Sequence, residues 1–563
     1  MHTSLFLRAV QLAGAFALGG CGRDDSGIDL HTRAVANRLA YVPPQCFTRT
    51  LDPGAAKAQN PCYVCHADAA VPNYQGQPEL QLAYAFPQLQ GGRDVANPWT
   101  NLFADHAAAI GKISDRDIAR YVADDNYHDQ GGTPVLAKRL AQIPQRWDVN
   151  GDGRWSGYLP DAGFRYDAQG YDLVADGQAS GWRRFSYYPL PGAFMPTNGS
   201  FDDVLIRLAP AFREDEQGAP STAIYSINLA IVEALIRRAD IDIDAADEKL
   251  LGVDLDGDGR LGSAVRVHYD WQPTAGRDMS YVGRARLEQA AGSLHLAAGL
   301  YPEGTEFLHS VRYLAVDGDG KVRAAPRMKE LRYARKLRWL SYSDLHHDAG
   351  REAREAELNP NRLEHFNGDP EQGLQNLIGW SYQGFIEDRR GRLRPQTYEE
   401  TVQCMGCHGG LSATEDGSFA LPRKGSSGAA HGWGSTAATE AYALPDPLRT
   451  DGKPEFASYL ENNHAGDEYR ANGEILKRYF QVDGTANAAA FKALRGDLSA
   501  LLLPSQQRAL LLDKAYRVLV QEQSFTKGRD ALPAPAVNVH REIAPDAPTG
   551  ITAALAAPRL GVR

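Results

Sequence analysis

Two pentapeptides constrain this chain more than anything else in it: Cys62-Tyr63-Val64-Cys65-His66 and Cys404-Met405-Gly406-Cys407-His408. In each, two thiols stand two residues apart and a histidine follows at once. A porphyrin with two vinyl groups can take one thioether from each thiol, and the adjacent imidazole then falls on its iron as the proximal axial ligand. Whatever fold the chain adopts must leave room beside each pentapeptide for a flat macrocycle. A zinc site, a thioredoxin-like redox pair and a structural disulfide compete with this reading. A zinc site made from all four cysteines leaves both histidines idle, and a thioredoxin-like pair follows a strand rather than standing in loop-like surroundings. Two covalently bound c-type haems are therefore the expected cofactors.

The chain has six cysteines, and the pentapeptides use four. Cys21 ends the apolar stretch from Ala9 to Gly20, too short to span a bilayer but suited to the apolar core of a signal peptide. Leu18-Gly19-Gly20-Cys21 resembles a bacterial lipobox, which implies cleavage before Cys21 and lipidation of its sulfur. Cleavage would remove Arg8 and take the formal charge from -10 to -11. Gly22 follows the cysteine, with no aspartate to signal inner-membrane retention, so the resemblance implies the outer membrane, facing the periplasm or exterior. Several acyl chains anchor stably where one does not. Haem is attached on the outer side of the cytoplasmic membrane, so signal and haem motifs agree. Cys46 is left over, and a buried thiol, a sixth iron ligand and an intermolecular partner all remain open for it.

At 563 residues the chain exceeds one compact core. Its mild acidity argues against nucleic acid. The two motifs lie 342 residues apart (404 minus 62), which suggests separate modules. The expected class is α+β, predominantly helical and loop-rich, with two cytochrome c-like haem regions flanking a mixed central region. The corresponding boundaries are a signal peptide at 1–20, an N-terminal haem region at 21–145, a central region at 146–340, a C-terminal haem domain at 341–530 and a Pro/Ala-rich tail at 531–563. Apolar periodicity predicts helices over Ser114–Ala123, Val135–Ile143, Ser221–Arg238, Leu374–Tyr382 and Gln506–Gln523. The last of these is a candidate to pack beside the haem-bearing segment, as in small cytochromes c. Alternation predicts a strand over Ala264–Trp271 and hairpins over Val311–Ala325 and Gly384–Gln396. Arg327, Lys329, Arg332, Arg335, Lys336 and Arg338 form a basic segment read as helical. It and Arg389–Arg394 are candidates to meet haem propionates.

Two acidic loops match the first half of a calcium loop: Asp148, Asn150, Asp152 and Asp254, Asp256, Asp258, each with glycine in sixth place. Leu159 and Val265 stand where the twelfth-position glutamate belongs, and Asp161 is a shifted substitute in the first loop. Calcium and plain Asp-Gly turns are both open.

The motif pair resembles di-haem c-type cytochromes. That resemblance implies His66 and His408 as proximal ligands and leaves the distal side to be found. Met195, in a Met-Pro pair, and His431, in the Gly-rich loop 23 residues after His408, are the distal candidates. His106, His128, His346, His347, His464 and His540 are weaker ones. A membrane-anchored carrier passing electrons to other redox proteins of the cell envelope is the first reading. A di-haem enzyme resembling bacterial cytochrome c peroxidases or related oxygenases, with one high-spin iron, is the alternative.

Overall fold

The computed structural model describes residues 27–51, 58–87, 94–192, 199–425, 431–434, 444–464, 472–556 and 560. Its strands, in chain order, are β1 (Val95–Ala96), β2 (Tyr171–Leu173), β3 (Ala179–Arg184), β4 (Phe201–Arg207), β5 (Ile241–Asp247) and β6 (Ser263–Val267). They continue with β7 (Glu306–Val316), β8 (Val322–Lys336), β9 (Asn367–Asp369), β10 (Gly373–Gln375), β11 (Trp380–Glu387), β12 (Leu393–Pro395) and β13 (Glu542–Ile543). Nine of them build one sheet in the order β2-β3-β4-β7-β8-β11-β10-β9, with β12 on β11. Its pairings are antiparallel, and the β7–β8 hairpin at its centre turns at Asp317–Gly320.

This sheet overturns the predominantly helical class with two cytochrome c-like regions. The hairpins over Val311–Ala325 and Gly384–Gln396 follow from local pattern, but their assembly with β2–β4 joins strands from residues 171 to 395. Side-chain packing across strands decides such pairing, and no window of sequence contains it. Leu374–Tyr382, expected as a helix, supplies β10 and the start of β11. The basic segment is not helical either: Arg327 to Lys336 belong to β8, and Arg327, Arg332 and Lys336 are paired with carboxylates, while Arg335 and Arg338 are exposed. Lys336 binds Asp416 at 2.6 Å, Arg327 binds Glu387 at 2.7 Å and Arg332 binds Glu330 at 3.0 Å. From the second basic cluster, Arg394 is buried and binds both oxygens of Glu400, at 2.7 and 2.9 Å.

The sheet has two covered faces. On one, Val204, Ile206, Phe307, Tyr382 and Trp380 share a core with the helices Thr222–Arg237 and Tyr398–His408. On the other, Leu205, Leu308, Leu331 and Phe385 pack with Tyr127, Trp147 and Trp155. Ser221 caps the first of these helices, accepting from Ile224 N at 3.3 Å, and Ser114 caps Asp115–Ala123 in the same way. The Gln506–Glu522 helix packs on Tyr313 of β7 and on Ile118 and Val122, not beside a haem motif. The tail folds back: β13 pairs β1, and Leu532 and Val539 join Phe47 and Trp99 in a small core.

Candidate haem sites and acidic loops

Cys62–Val64 forms a single 3-10 turn, and the amides of Cys65 and His66 both donate to Cys62 O, at 3.1 and 2.9 Å. The turn thus compresses both thiols and the imidazole into one short arc. Gln81 Nε2 donates to His66 O at 2.6 Å and fixes the arc from outside. Cys62, Cys65 and His66 line a cavity of about 900 Å³, and Cys46, Met405 and His365 line it too. That volume suits a large cofactor. Arg338 stands on its wall as a cation for a porphyrin carboxylate, whereas Arg362, also on the wall, is paired with Glu352, Glu355 and Glu364 at 3.5, 2.9 and 3.0 Å. His66 Nδ1 is buried without a hydrogen-bond partner.

The second pentapeptide ends the Tyr398–His408 helix. Thr397 and Glu400 start that helix with a reciprocal capping box, and Arg394 holds Glu400 in place. On a helix, positions separated by three and four residues share a face, so Cys404, Cys407 and His408 project together. His408 Nδ1 donates to Gly417 O at 2.8 Å, which leaves Nε2 free to bind a metal in a fixed orientation. Its carbonyl accepts from Asn376 Nδ2 at 2.7 Å, and its ring lies 4.9 Å from Tyr382. Burial, with smaller effects from Arg332 and His309, pushes His408 down to about 4. The ring is then neutral at physiological pH, the form that ligates iron.

Far apart in sequence, the first motif and the segment just after the second touch in the structure. Ser412 Oγ accepts from Ala67 N at 3.1 Å and donates to Cys65 O at 2.9 Å. Asn73 Nδ2 donates to Leu411 O at 3.2 Å across the same seam. The N-terminal segment locks the other side: an added Cβ at Gly406 would lie 1.7 Å from Tyr41 O.

The donor set discriminates between the uses of paired cysteines. Burial pushes Cys62 up to about 11 and Cys407 up to about 12, and raises Cys65, Cys404 and Cys46 as well. Thioredoxin-like pairs need a depressed thiol, so the direction is wrong for them. All five described cysteines are free thiols. Among the described residues, Cys and His atoms form no group close enough to share one metal ion. Two thiols and an imidazole on one arc beside a large cavity, and the same three groups sharing one face of a helix, fit covalent haem.

Of the distal candidates, Met195 lies outside the described residues. His431 turns to Asp244 on β5, at 3.7 Å, and its carbonyl accepts from Lys424 Nζ at 2.6 Å. That contact draws its ring toward a strand outside the main sheet. His346 lies edge-on to Tyr74 at 4.9 Å, and His128 binds Asp125 at 2.8 Å. Sequence reasoning missed Ser412, Gln81, Asn376 and Gly417, because each acts through contacts formed by the fold. It also passed over His309, a lone histidine in a strand pattern.

In the second acidic loop, Asp254 and Asp256 converge with Glu248. Glu248 is buried and accepts from Leu255 N at 2.6 Å and Gly262 N at 2.7 Å. It precedes the loop, which is why the search for a twelfth-position carboxylate failed. Asp258 is not in this group; it accepts from Arg260 N at 2.8 Å. In the first loop, Asp148 accepts from Gly151 and Gly153, Asn150 from Asp152, and Asp152 from Arg154. Asp161 is committed elsewhere, to Arg207 at 2.6 Å and Trp182 Nε1 at 2.8 Å.

A family model described as "-like lipoprotein" matches residues 30–492, a span that takes in both pentapeptides. The chain belongs to this lipoprotein family. An "Uncharacterized lipoprotein" of Aquifex aeolicus (strain VF5) is 29% identical over 568 residues, covering 91% of this chain and 89% of that protein. No solved structure matches. Lipid-mediated association with the membrane of the cell envelope follows from the family. Among the described residues of this lipoprotein, no helix is long and apolar enough to cross a membrane. Cys21 lies outside the described residues.

Proposed function

We propose that this lipoprotein is a di-haem c-type cytochrome that carries electrons in the cell envelope. Acyl chains on Cys21 would hold it to the outer membrane, and other redox proteins of the envelope would be its partners. The observation that carries the reading is the Ser412 bridge between Cys65-His66-Ala67 and the segment just after His408. Electron transfer falls steeply with distance, so a relay needs its two centres side by side. Hydrogen bonds from Ser412, four residues after His408, to Cys65 and Ala67 support that arrangement.

Bound haem would supply a one-electron iron couple. The chain's own residues do the rest. Cys62, Cys65, Cys404 and Cys407 tether, His66 and His408 ligate, and Gly417 O fixes the tautomer of His408. Gly417 O and the Tyr382 ring hold the second imidazole in place, and a rigid iron site reorganises little on changing charge. Calcium at Glu248, Asp254 and Asp256 would pin the turn between β5 and β6, with Asp148, Asn150 and Asp152 as a weaker second loop.

The test is haem stoichiometry. Haem-stained denaturing gels and intact mass should report two haems per chain, and one after Cys404→Ala with Cys407→Ala. A wild-type chain without covalent haem, or with zinc in its place, ends the proposal. Cys21→Ser should move the protein from the membrane fraction. Chelation should lower the unfolding temperature if calcium binds the native state alone, and Asp256→Ala should abolish that response.

A further inference from the structure

The sheet presents a histidine to the second pentapeptide. His309 stands on β7, opposite Arg332 of β8, and the next residue in that row, on β11, is Gly384, which has no side chain. The adjacent row of the same face is Phe307, Ala334 and Tyr382. Tyr382 is the residue that touches the His408 ring. Same-face rows are about 7 Å apart and neighbouring strands about 4.8 Å. His309 is therefore one row and two strands from the floor beneath His408, on the face that the motif helix covers.

β7 and β8 occupy the middle of the sheet, where covered side chains are normally sealed. Yet His309 and Arg332 keep 26% and 27% of their side-chain surface uncovered. Cys404, Cys407 and His408 are also incompletely covered. The motif's reactive face and this row of the sheet are thus both only partly covered. His309 Nε2 is buried and makes no hydrogen bond, although Asp202 Oδ2 is 3.3 Å away. Arg332, by contrast, is paired with Glu330 at 3.0 Å. A carboxylate beside one ring nitrogen steadies the imidazole and leaves the other, Nδ1, for a metal, which is how proteins commonly prepare a metal ligand.

We infer, resting on the haem reading above, that His309 is the second axial ligand of the haem held by Cys404, Cys407 and His408. His431, the nearest histidine after that motif in sequence, is then a surface residue.

Near-infrared magnetic circular dichroism and electron paramagnetic resonance of the full-length oxidised protein test this. Wild-type protein should show a low-spin bis-histidine haem, and that signal should vanish when Cys404 and Cys407 are both changed to Ala. His309→Ala should keep two haems per chain by mass but convert one to high spin, with new carbon monoxide binding after reduction. Added imidazole should restore the low-spin signal. His309→Met, which preserves bulk, should replace the bis-histidine signature with a histidine–methionine one. His431→Ala should change nothing. A bis-histidine signal that is absent from wild type, or unchanged in both His309 variants, overturns the assignment and leaves the haem reading standing. A wild-type chain without haem overturns both.

Discussion

Gly406→Ala keeps both cysteines, the histidine and their spacing, and so tests the packing around the second motif alone. Gly406 sits inside the Tyr398–His408 helix, where alanine ordinarily stabilises by about 1 kcal/mol. Tertiary structure opposes this. The new Cβ would meet Tyr41 O at 1.7 Å and Pro43 Cδ at 3.1 Å. Real contacts of this kind are at least 3.0 Å, so the backbone must yield by at least 1.3 Å (3.0 minus 1.7). Backbone cannot rotate away as a side-chain tip does, and overpacking of this sort costs about 1–3 kcal/mol. Moving the segment also strains the bond from Trp99 Nε1 to Val42 O, now 2.9 Å, worth about 1 kcal/mol. The net expectation is a loss of about 2 kcal/mol, the opposite sign from helix propensity. Denaturant unfolding of wild type and variant, with matched haem content, measures it. Limited proteolysis should find new cleavage near residues 41–43. A variant as stable as wild type, or more so, would show that the N-terminal segment does not pack on the motif helix.

Ser412→Ala leaves Ala67 N and Cys65 O without their partner and should cost about 1–3 kcal/mol, read by thermal unfolding. Redox titration of the same variant should show weaker interaction between the two centres. Lys336→Met strands the buried Asp416, whose neighbour Gly417 holds His408; a loss of about 3–5 kcal/mol is expected, with a changed haem spectrum. Asp513 is fully buried, and that burial raises its carboxyl to about 8. A raised folded value means that its contribution is complete below the unfolded value near 3.8 and is lost as pH rises through about 8. Asp513→Asn should flatten this decline in a profile of unfolding temperature against pH, and an unchanged slope would refute the assignment.

Much of the local structure was legible. Ser114 and Ser221 mark helix starts because a side-chain oxygen can satisfy a free amide there, a property of a few neighbouring residues. The β7–β8 turn at Asp317–Gly320 was legible for the same reason. Leu374–Tyr382 misled because short apolar runs do not separate helix from strand; pairing with β8 and β9 settled it. The basic segment misled because periodicity cannot tell a charge facing water from one buried against Glu330, Glu387 or Asp416.

The chain's chemistry was written in short range. Two thiols and an imidazole within five residues need no tertiary context to be recognised as a candidate covalent site, and the acidic triplets and the lipobox-like Leu18–Cys21 are equally local. What surrounds those groups was decided by the fold. Ser412 reaches Cys65, Gly417 reaches His408, Glu248 joins Asp254, and His309 faces the motif helix only once strands far apart in sequence have paired. The physical reason is the range of the forces involved. Covalent and capping chemistry acts between neighbours along the chain, whereas ligand orientation, desolvation and the sealing of a cavity depend on whichever side chains burial brings together.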